Sequence, residues 1–559
     1  MKRNLTALTE NNYDLLIIGG GIYGACIAWD ASLRGLSVAL VEKADFGGAT
    51  SANSLKIIHG GLRYLQKADF KRMRESIKER TTLMGIAPHL IHPLPVLVPT
   101  YGHGTKGREA LTLGLLINDI ISSDRNQLND PQKHIPNGRI ISQAECQELL
   151  PNIPEAGLTG GAIFCDAQVY NSERLTLSFL KSAEQQGATL ANYVEVTGFL
   201  FTENRVTGVK VKDELTASEL EIRAKTVVNT SGPWLNQILN FLPRNSPLRP
   251  LNLAKAMNLI TRPLFDTYAV GLSGAKRQLA NGSVQKSRFF FIAPWRGKSM
   301  IGTWYSVYDQ DPNQFKITEA EIQEFISEIN QVYPAAKLQR EDISFVHGGL
   351  LPRIGIDAKT GEPKLADQYQ LRDHTQDGCP GLISVLGVKY TTARDVAEKA
   401  VDFVFKTWDQ YPPESKSAIT PIDGGKIESF NDFLHQAILE GKNQGLTESQ
   451  IHRLVYNYGS SYPNVLNYLK DSPDSQGILN ETELIKAEVL HAIHEEMAQK
   501  LSDVVFRRTE LGSAGDISQE TLNICAKTMG EALGWSQTQI EEEIKDINLS
   551  NGIQSLAKI

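Results

Sequence analysis

The stretch YDLLIIGGGIYGACIAWDASLRGLSVALVEK, residues 13–43, decides the fold. The apolar run at its start predicts a strand, the residues after the glycines have helical spacing, and SVALVE predicts a second strand. Gly19, Gly21 and Gly24 form the pattern G-x-G-x-x-G directly after the first strand. This arrangement predicts a β-α-β unit whose glycine turn and helix N-terminus bind a pyrophosphate.

An acidic residue strengthens the dinucleotide interpretation. Glu42 ends the second strand 18 residues after Gly24, where a carboxylate can bind the ribose hydroxyls of a dinucleotide. Without that carboxylate, a glycine-rich structural turn would explain the pattern equally well. FAD and NAD share these features, so the choice between them needs other residues.

Two later stretches favour FAD. KTVVNTSGPW, residues 225–234, is a strand that ends in small residues, as expected where the chain returns to the same dinucleotide. SVLGVKYTTARD, residues 384–395, breaks a strand at Gly387 and offers Thr391 or Thr392 as the cap of a helix. The positive end of that helix could face an anionic flavin pyrimidine.

Composition limits the class of protein. The chain has 559 residues, 41% of them hydrophobic, which predicts two to three globular domains. A net charge of −7 with mixed signs gives no basic surface for nucleic acid. Five scattered cysteines without a C-x-x-C pair argue against disulfides and predict a reducing compartment. No signal peptide and no run of about 18 apolar residues is found, so we expect a cytoplasmic protein, with peripheral membrane contact left open.

Further segments match a known family in order and along nearly the whole chain. They include GATSANSLKIIHGGLRYLQ at residues 48–66, APHLIHPLPVLVP at 87–99, IAPWRGKSMIGTWYSVYDQDP at 292–312 and DVVFRRT at 503–509. With the glycine turn, these segments resemble the FAD-dependent glycerol-3-phosphate dehydrogenase and oxidase family. HGGLRYL is the most specific of them.

The resemblance implies a fold of the α/β and α+β classes in three parts. A glutathione-reductase-like FAD domain of Rossmann type would carry an inserted substrate domain with a mixed β-sheet, and helices alone would follow residue 420. The expected ranges are 12–75, 155–248 and 345–412 for the FAD domain, 76–154 and 249–344 for the substrate domain, and 420–559 for the helical domain.

The same resemblance implies an activity and its partners. We expect non-covalent FAD and oxidation of sn-glycerol 3-phosphate to dihydroxyacetone phosphate by hydride transfer to flavin N5. Electrons would pass to a quinone or to oxygen, and a homodimer is left open. No metal is expected.

Residue by residue, the resemblance implies an active site and a cofactor site. Arg63, Tyr64 and Lys389 match catalytic positions. Weaker substrate-binding candidates are Asn258, Tyr305 and Arg353. The cofactor-binding candidates are Gly19, Gly21, Gly24, Glu42, Thr50, Ser51, His59, Gly61, Val194, Ser231, Gly232, Trp234, Gly387, Lys389, Tyr390 and Thr391.

Three positions depart from the family pattern. Asn258 stands where the family commonly has a histidine, and an amide cannot act as a base at neutral pH. Leu351 occupies the place of an arginine that binds the substrate phosphate, with Arg353 two residues on, and Val388 replaces a glycine. A flavoenzyme of the same fold acting on another alcohol or amine is therefore an alternative, and a non-catalytic flavoprotein is a third.

Other segments each have two interpretations. His59 could attach flavin covalently or lie beside it, and Tyr305 could line the pocket or belong to the aromatic core. His491 and His494 have metal-ligand spacing on a predicted helix but no completing ligands. Residues 67–80 could dock on an anionic membrane or form a solvated helix face. Residues 109–121 could enter lipid, bind a quinone tail or form a buried helix.

Overall fold

A computed structural model describes most of the chain. The described residues are 1–103, 107–243, 250–273, 277–278, 284–285, 288–358, 360–471, 483–515 and 517–549. The strands are β1 Asn12–Ile18, β2 Val38–Val41, β3 Ile57–Ile58, β4 Ile91–Tyr101, β5 Arg139–Ile141, β6 Leu158–Val169, β7 Thr189–Ala191, β8 Val194–Thr202, β9 Arg205–Asp213, β10 Glu219–Asn229, β11 Asn252–Thr261, β12 Ala269–Ser273, β13 Arg277–Gln278, β14 Val284–Gln285, β15 Phe289–Trp295, β16 Lys298–Tyr308, β17 Ile343–Ile356, β18 Pro363–Leu365, β19 Gln370–Asp373 and β20 Leu382–Leu386.

The helices alternate with strands at first and stand alone near the C-terminus. They are α1 Leu5–Glu10, α2 Ile22–Leu33, α3 Phe70–Ile86, α4 Arg108–Ile121, α5 Gln143–Leu149, α6 Ser172–Gln185, α7 Leu235–Leu239, α8 Glu319–Val332, α9 Ala393–Thr407, α10 Phe430–Lys442, α11 Glu448–Tyr458, α12 Tyr462–Asp471, α13 Lys486–Glu496, α14 Leu501–Asp503, α15 Gln519–Leu533 and α16 Gln537–Leu549. A 3-10 helix covers Leu62–Lys67, and a π-helix covers Val504–Arg508.

The first sheet contains the predicted β-α-β unit. Its order is β19-β20-β10-β1-β2-β7, and the β8–β9 hairpin pairs with β10. The strands from β20 to β7 run parallel, and β1 and β2 are buried because helices or other strands cover both of their faces. Helices α6 and α9 pack against α2 beside this sheet. The carboxyl ends of β1 and β10 therefore meet at one edge, where the glycine turn lies.

The second sheet is mixed and lies over that edge. Its order is β18-β17-β11-β16-β15-β12-β4-β6-β3, with β5 beside β6. Most neighbours are antiparallel, and β12 with β4 is a parallel pair. Apolar side chains of α8 pack on it, including Phe325 against Phe290 with ring centres 5.9 Å apart. This sheet supplies the wall opposite the glycine turn.

Strand membership differs from the predicted domain ranges for four strands. β3, β6, β18 and all but the first two residues of β17 fall within ranges expected for the FAD domain, yet all four strands belong to the second sheet. β6 pairs with β4 from residue 158 to residue 169, and β17 pairs with β11 from residue 343 to residue 353. These long hydrogen-bonded ladders assign β6 and β17 to the second sheet, although segments next to them in sequence belong to the first sheet.

From α10 onward the described chain is helical apart from short turns, as the pattern after residue 420 predicts. Two apolar clusters, one around Val455 and one around Val504, form its core. All five cysteines of the chain are free and buried. Among the described helices, none combines the length and the apolar character that crossing a membrane requires.

Candidate active site

The glycine turn has a backbone that only glycine adopts easily. Gly19 has φ +103°, in the region that a Cβ disfavours. A Cβ on Gly24 would overlap the carbonyl oxygen of Gly19. Gly21 is the N-cap of α2, so the first amides of that helix point into the turn. The turn therefore places a helix N-terminus where a pyrophosphate can bind.

Glu42 closes one side of this turn. Its carboxylate accepts hydrogen bonds from the amide nitrogens of Gly20 at 2.7 Å and Ala44 at 3.0 Å. Burial raises the pKa of Glu42, and these two amides oppose that shift. The Val194 amide donates to the Glu42 carbonyl at 2.8 Å. Both ends of this residue are fixed, which suits a carboxylate that must orient ribose hydroxyls.

The segment after β10 passes close to the same turn. The Thr230 amide donates to the Ile18 carbonyl at 2.9 Å, and Ser231 donates through its amide and hydroxyl to the Asn229 side chain at 3.1 and 2.6 Å. Gly232 has φ +55°, and no atom lies within 4 Å of where its Cβ would be. The predicted return of the chain thus leaves open space beside Gly19.

Three further cofactor candidates join this turn to its surroundings. The Ser51 hydroxyl accepts from the Ile22 amide at 3.0 Å, while Thr50 donates to the Leu350 carbonyl of β17 at 3.0 Å. The Trp234 indole donates to Asn313 at 2.6 Å. Residues 50–51 therefore connect the start of α2 to the second sheet.

Tyr23, which sequence reasoning missed, fixes the residues around Lys389, the predicted catalytic lysine. Its hydroxyl donates to the Lys389 carbonyl at 2.6 Å and accepts from the amides of Val388 and Lys389 at 3.1 and 3.0 Å. A Cβ on Gly387 would overlap the Tyr23 ring. The glycine at 387 is therefore needed for this tyrosine. A tyrosine inside a glycine pattern carries no signal for that contact.

The three predicted catalytic residues lie together. Lys389 Nζ lies 4.3 Å from the centre of the Tyr64 ring, and Arg63 is the preceding residue on the 3-10 helix Leu62–Lys67. Burial, with a smaller contribution from Arg72, lowers the pKa of Lys389 to about 8. Gly61, with φ +83°, starts this 3-10 helix. The site thus combines a lysine that titrates near neutrality with an exposed arginine.

His59 is fixed by groups that the sequence did not indicate. Its amide donates to Thr391 Oγ1 at 3.3 Å, and its Nδ1 lies 3.5 Å from Asp166 Oδ2. Asp166 also accepts from the Gly60 amide at 2.6 Å and from Arg80 at 3.1 Å. Although burial opposes ionisation, His59 and Arg80 keep the pKa of Asp166 below its ordinary value. Asp166 is on β6, more than 100 residues from His59 in sequence, so no local motif could have shown this pair.

The weaker substrate candidates share one face of the second sheet. In the antiparallel register, Asn258 is opposite His347, and Ala256 is opposite both Gly349 and Tyr305. Side chains two residues apart on a strand point the same way. The Asn258 amide donates to the Asn53 carbonyl at 3.0 Å, and its carbonyl accepts from Thr303 at 2.9 Å. This face therefore looks toward residues 50–53 of the cofactor side.

Leu351 and Arg353 continue along that face, because β17 remains a strand through both. Arg353 lies four residues beyond Gly349, or about 13 Å along the strand. Its guanidinium donates to the Leu253 carbonyl at 2.9 Å and forms an ion pair with Asp309. The arginine nearest to Leu351 in sequence is thus already engaged at the rim of the sheet.

Comparison with known proteins gives matches along nearly the whole chain. The model of the FAD dependent oxidoreductase family matches residues 14–390, and that of the C-terminal domain of alpha-glycerophosphate oxidase matches residues 415–540. A glycerol-3-phosphate dehydrogenase of Synechocystis sp. is 33% identical, with 97% of each chain covered. An aerobic glycerol-3-phosphate dehydrogenase of Staphylococcus haemolyticus is 31% identical over 98% of this chain and 96% of its own.

A solved structure agrees with these matches. The glycerol-3-phosphate dehydrogenase from Bacillus halodurans complexed with FAD superposes with a TM-score of 0.77 at 26% identity, covering 99% of this chain and 97% of its own. This chain belongs to the FAD-dependent glycerol-3-phosphate dehydrogenase family. The predicted family, fold class, enzyme class and FAD cofactor are thereby confirmed.

The geometry around the glycine turn fits FAD. The open space at Gly232, the Glu42 carboxylate and the N-terminus of α2 provide room and partners for a dinucleotide. At the other end, Thr392 is the N-cap of α9 without a side-chain hydrogen bond to the helix. The Tyr390 hydroxyl donates to the Ser172 carbonyl at 2.7 Å, so Tyr390 anchors the segment between Lys389 and α9.

Among the residues that the structure describes, no group of three or more His, Cys, Asp and Glu residues could bind a metal ion, so the metal-ligand interpretation of His491 and His494 finds no support there. His491 is buried, with Nε2 3.4 Å from Glu496. His494 stacks on Tyr468, with ring centres 5.8 Å apart. Both histidines therefore serve in packing.

The two segments considered for membrane contact differ in character. In residues 67–80, Lys67 and Arg72 pair with Asp367, at 3.4 and 2.8 Å, and Arg74 pairs with Asp124. Much of the basic charge there is balanced by these carboxylates. Helix α4 instead exposes large aliphatic side chains on one face. They are Leu113, Leu116 and Ile120, which are 59%, 57% and 74% exposed.

Proposed function

We propose that this enzyme oxidises sn-glycerol 3-phosphate to dihydroxyacetone phosphate. The contact that carries the proposal is Lys389 against Tyr64, beside Arg63, at the end of the segment that Tyr23 fixes. A secondary alcohol next to a phosphate needs a proton acceptor and a cation within one pocket. The names of the relatives found in the comparisons agree with this substrate.

Lys389 is the proton acceptor in this proposal. Bound FAD supplies the hydride acceptor at N5. Asn258 has no basic nitrogen and uses its amide in hydrogen bonds to Asn53 and Thr303. With a pKa of about 8, Lys389 has a neutral fraction at physiological pH that can take the hydroxyl proton of the substrate.

Arg63 binds the phosphate in this proposal. Its cation lowers the pKa values of both Tyr64 and Tyr305, against the larger effect of burial that raises them. Arg63 therefore lies near tyrosines from both walls of the site. An exposed guanidinium can bind a phosphate with charge-assisted hydrogen bonds.

A second candidate is the oxidation of another alcohol or amine. The observation that favours it is Leu351 on the pocket-facing side of β17, together with the pairing of Arg353 with Asp309. Position 351 carries no cation and Arg353 is paired with Asp309, so Arg63 remains as the phosphate partner identified above. A substrate without a phosphate would need no cation at position 351 or 353.

Anaerobic reduction of the flavin separates the two candidates. Purified holoenzyme is mixed with millimolar sn-glycerol 3-phosphate, and the visible flavin absorbance is followed. Bleaching by this compound, with none by glycerol, supports the proposal. Bleaching by another alcohol or an amine alone would decide for the second candidate, and a flavin that nothing reduces would favour the non-catalytic class.

We also propose that the electrons pass to a quinone at a membrane surface that α4 contacts. The exposed face of α4 carries Leu113, Leu116 and Ile120. Helix α4 also packs against the 3-10 helix that carries Arg63. Aliphatic side chains on one helix face can enter the headgroup region of a bilayer. A lipid-soluble acceptor would then reach the active-site side of the molecule.

Cosedimentation with phosphatidylglycerol and phosphatidylcholine vesicles tests this proposal. Leu116→Ser should lower the bound fraction and the rate of ubiquinone reduction in vesicles. Leu439→Ser is the matched control, because Leu439 is 47% exposed on α10. Equal binding of both variants, or no binding by the parent protein, would contradict membrane contact through α4.

A further inference from the structure

The loop after β2, residues 42–47, connects Glu42, the candidate partner of the ribose hydroxyls, to the glycine turn. Glu42 begins this loop, and Phe46 follows closely, with its Cδ1 atom 2.6 Å from where a Cβ on Gly20 would lie. The Gly47 amide donates to the Gly20 carbonyl at 3.0 Å. A shift of residues 43–47 would therefore move both the Glu42 carboxylate and the backbone of the glycine turn at Gly20.

Asp45, in the middle of this loop, is bound by arginines of the C-terminal domain. Its two carboxylate oxygens accept from Arg508 Nη1 and Nη2 at 2.6 and 2.7 Å. Arg507 Nε also donates to Asp45. The side chains of Asp45 and Arg508 are fully buried, and the two arginines overcome burial and lower the pKa of Asp45 to about 2.

The arginines are in turn fixed within their own domain. Arg508 Nε donates to the Glu496 carbonyl at 3.1 Å, and Arg507 Nη2 donates to Asp503 at 2.6 Å. Asp503 also accepts from the Tyr193 hydroxyl at 2.6 Å. Arg508 therefore reaches Asp45 from a rigid support.

We propose that Arg508 is a positioning residue for FAD, which acts through Asp45 on the loop that carries Glu42. The C-terminal domain would then contribute to cofactor affinity without touching the cofactor. Removing Arg508 takes the bidentate partner from a buried carboxylate and leaves it with Arg507 and with the Asn192 amide, which donates at 3.1 Å. The Asp45 side chain would then shift toward these two partners, and Glu42 would move with the loop.

The affinity of the full-length apoprotein for FAD tests this proposal without any substrate, so its result does not depend on which alcohol the enzyme oxidises. The dissociation constant is obtained from the quenching of flavin fluorescence. Arg508→Met should raise it at least tenfold, and Arg508→Lys should recover part of the loss. The control is Arg453→Met, which breaks a buried pair with Glu488, at 2.7 Å, inside the C-terminal domain.

A purely structural role would lower the melting temperatures of both methionine variants and leave their FAD affinities alike. The proposal is overturned by that result, or by any rise for Arg508→Met that stays below tenfold over the control. If Arg508→Met does not fold, Asp45→Asn takes its place, since it removes the charge with little change in shape. Parent-like FAD affinity in Asp45→Asn would likewise overturn the proposal.

Discussion

The cofactor turn and the substrate-facing sheet differ in what fixes their residues. In the turn, Gly19 and Gly24 are required by the backbone, because a Cβ at either position strains or overlaps the main chain. On the sheet, Asn258 and Leu351 have strand backbone without a positive φ, so the main chain itself does not dictate which side chain stands there. Backbone requirements keep a cofactor site recognisable in a sequence, whereas a substrate wall can change its chemistry within one fold.

The largest expected effect tests Lys389, which contacts Tyr64 and follows a strand of the cofactor sheet. Lys389→Met should lower kcat by about 10²- to 10⁴-fold with FAD still bound, because a general base is lost. In the parent enzyme, kcat/KM should rise with pH through about 8, since the proton acceptor is active only when deprotonated. Steady-state kinetics from pH 6 to pH 10 measures both.

Lys225→Met is a matched control for this variant. Lys225 Nζ lies 3.9 Å from the centre of the Trp408 ring, a similar lysine–aromatic contact away from the site. Its kinetics should remain those of the parent. A Lys389→Met enzyme that keeps its kcat would remove the lysine from the chemistry.

The next effect tests the backbone requirement of the turn. Gly24→Ala should weaken FAD binding by roughly 100-fold, because the new methyl group meets a carbonyl oxygen that cannot move aside. Gly198→Ala is the control, since its Cβ would lie 3.9 Å from Lys210. Fluorescence titration of the apoproteins measures the affinities. If the purified Gly24→Ala protein were yellow and fully loaded with FAD, the proposed steric requirement for glycine at position 24 would be contradicted.

A smaller effect tests the missing phosphate partner. Leu351→Arg places a cation on the pocket-facing side of β17 and should lower KM for sn-glycerol 3-phosphate by up to about tenfold, through a charge-assisted hydrogen bond. Leu351→Met keeps the side chain uncharged and should leave KM unchanged. An arginine that raises KM for this substrate would show that the phosphate does not approach Leu351.

The smallest effect tests whether Asn258 is structural. Asn258→Ala breaks bonds to Asn53 and Thr303 and should lower the free energy of unfolding by about 1–3 kcal/mol, with kcat within about threefold of the parent. Asn330→Ala, which breaks two bonds to Leu338 on the far side of the sheet, should behave similarly. Denaturant unfolding and kinetics give both quantities. A collapse of kcat in Asn258→Ala alone would place Asn258 in the chemistry.

The β-α-β unit could be predicted because its signals are local. Hydrophobic strands, the glycine spacing and Glu42 lie within one stretch of about 30 residues. The membership of β6 and β17 in the second sheet could not be predicted, because pairing partners are chosen by register over long distances. Tandem helices after residue 420 were again predictable from their periodicity.

The candidate site was predictable to the same degree. Arg63, Tyr64 and Lys389 could be named from motifs, and the structure places Lys389 against Tyr64. Tyr23, Asp166 and the partner of Arg353 could not be named, because each acts through a contact with a residue far away in sequence. Such contacts leave no periodicity and no spacing to detect.

The hydroxyl of Tyr23 has a consequence for biosynthesis. It joins the first helix of the nucleotide unit to a residue 366 positions later. Chains are made at roughly 5–20 residues per second, and early segments can fold while later ones are still on the ribosome. Here the N-terminal unit emerges long before the segment that completes it. We therefore expect a nascent chain to load its flavin late, after residue 390 has left the exit tunnel.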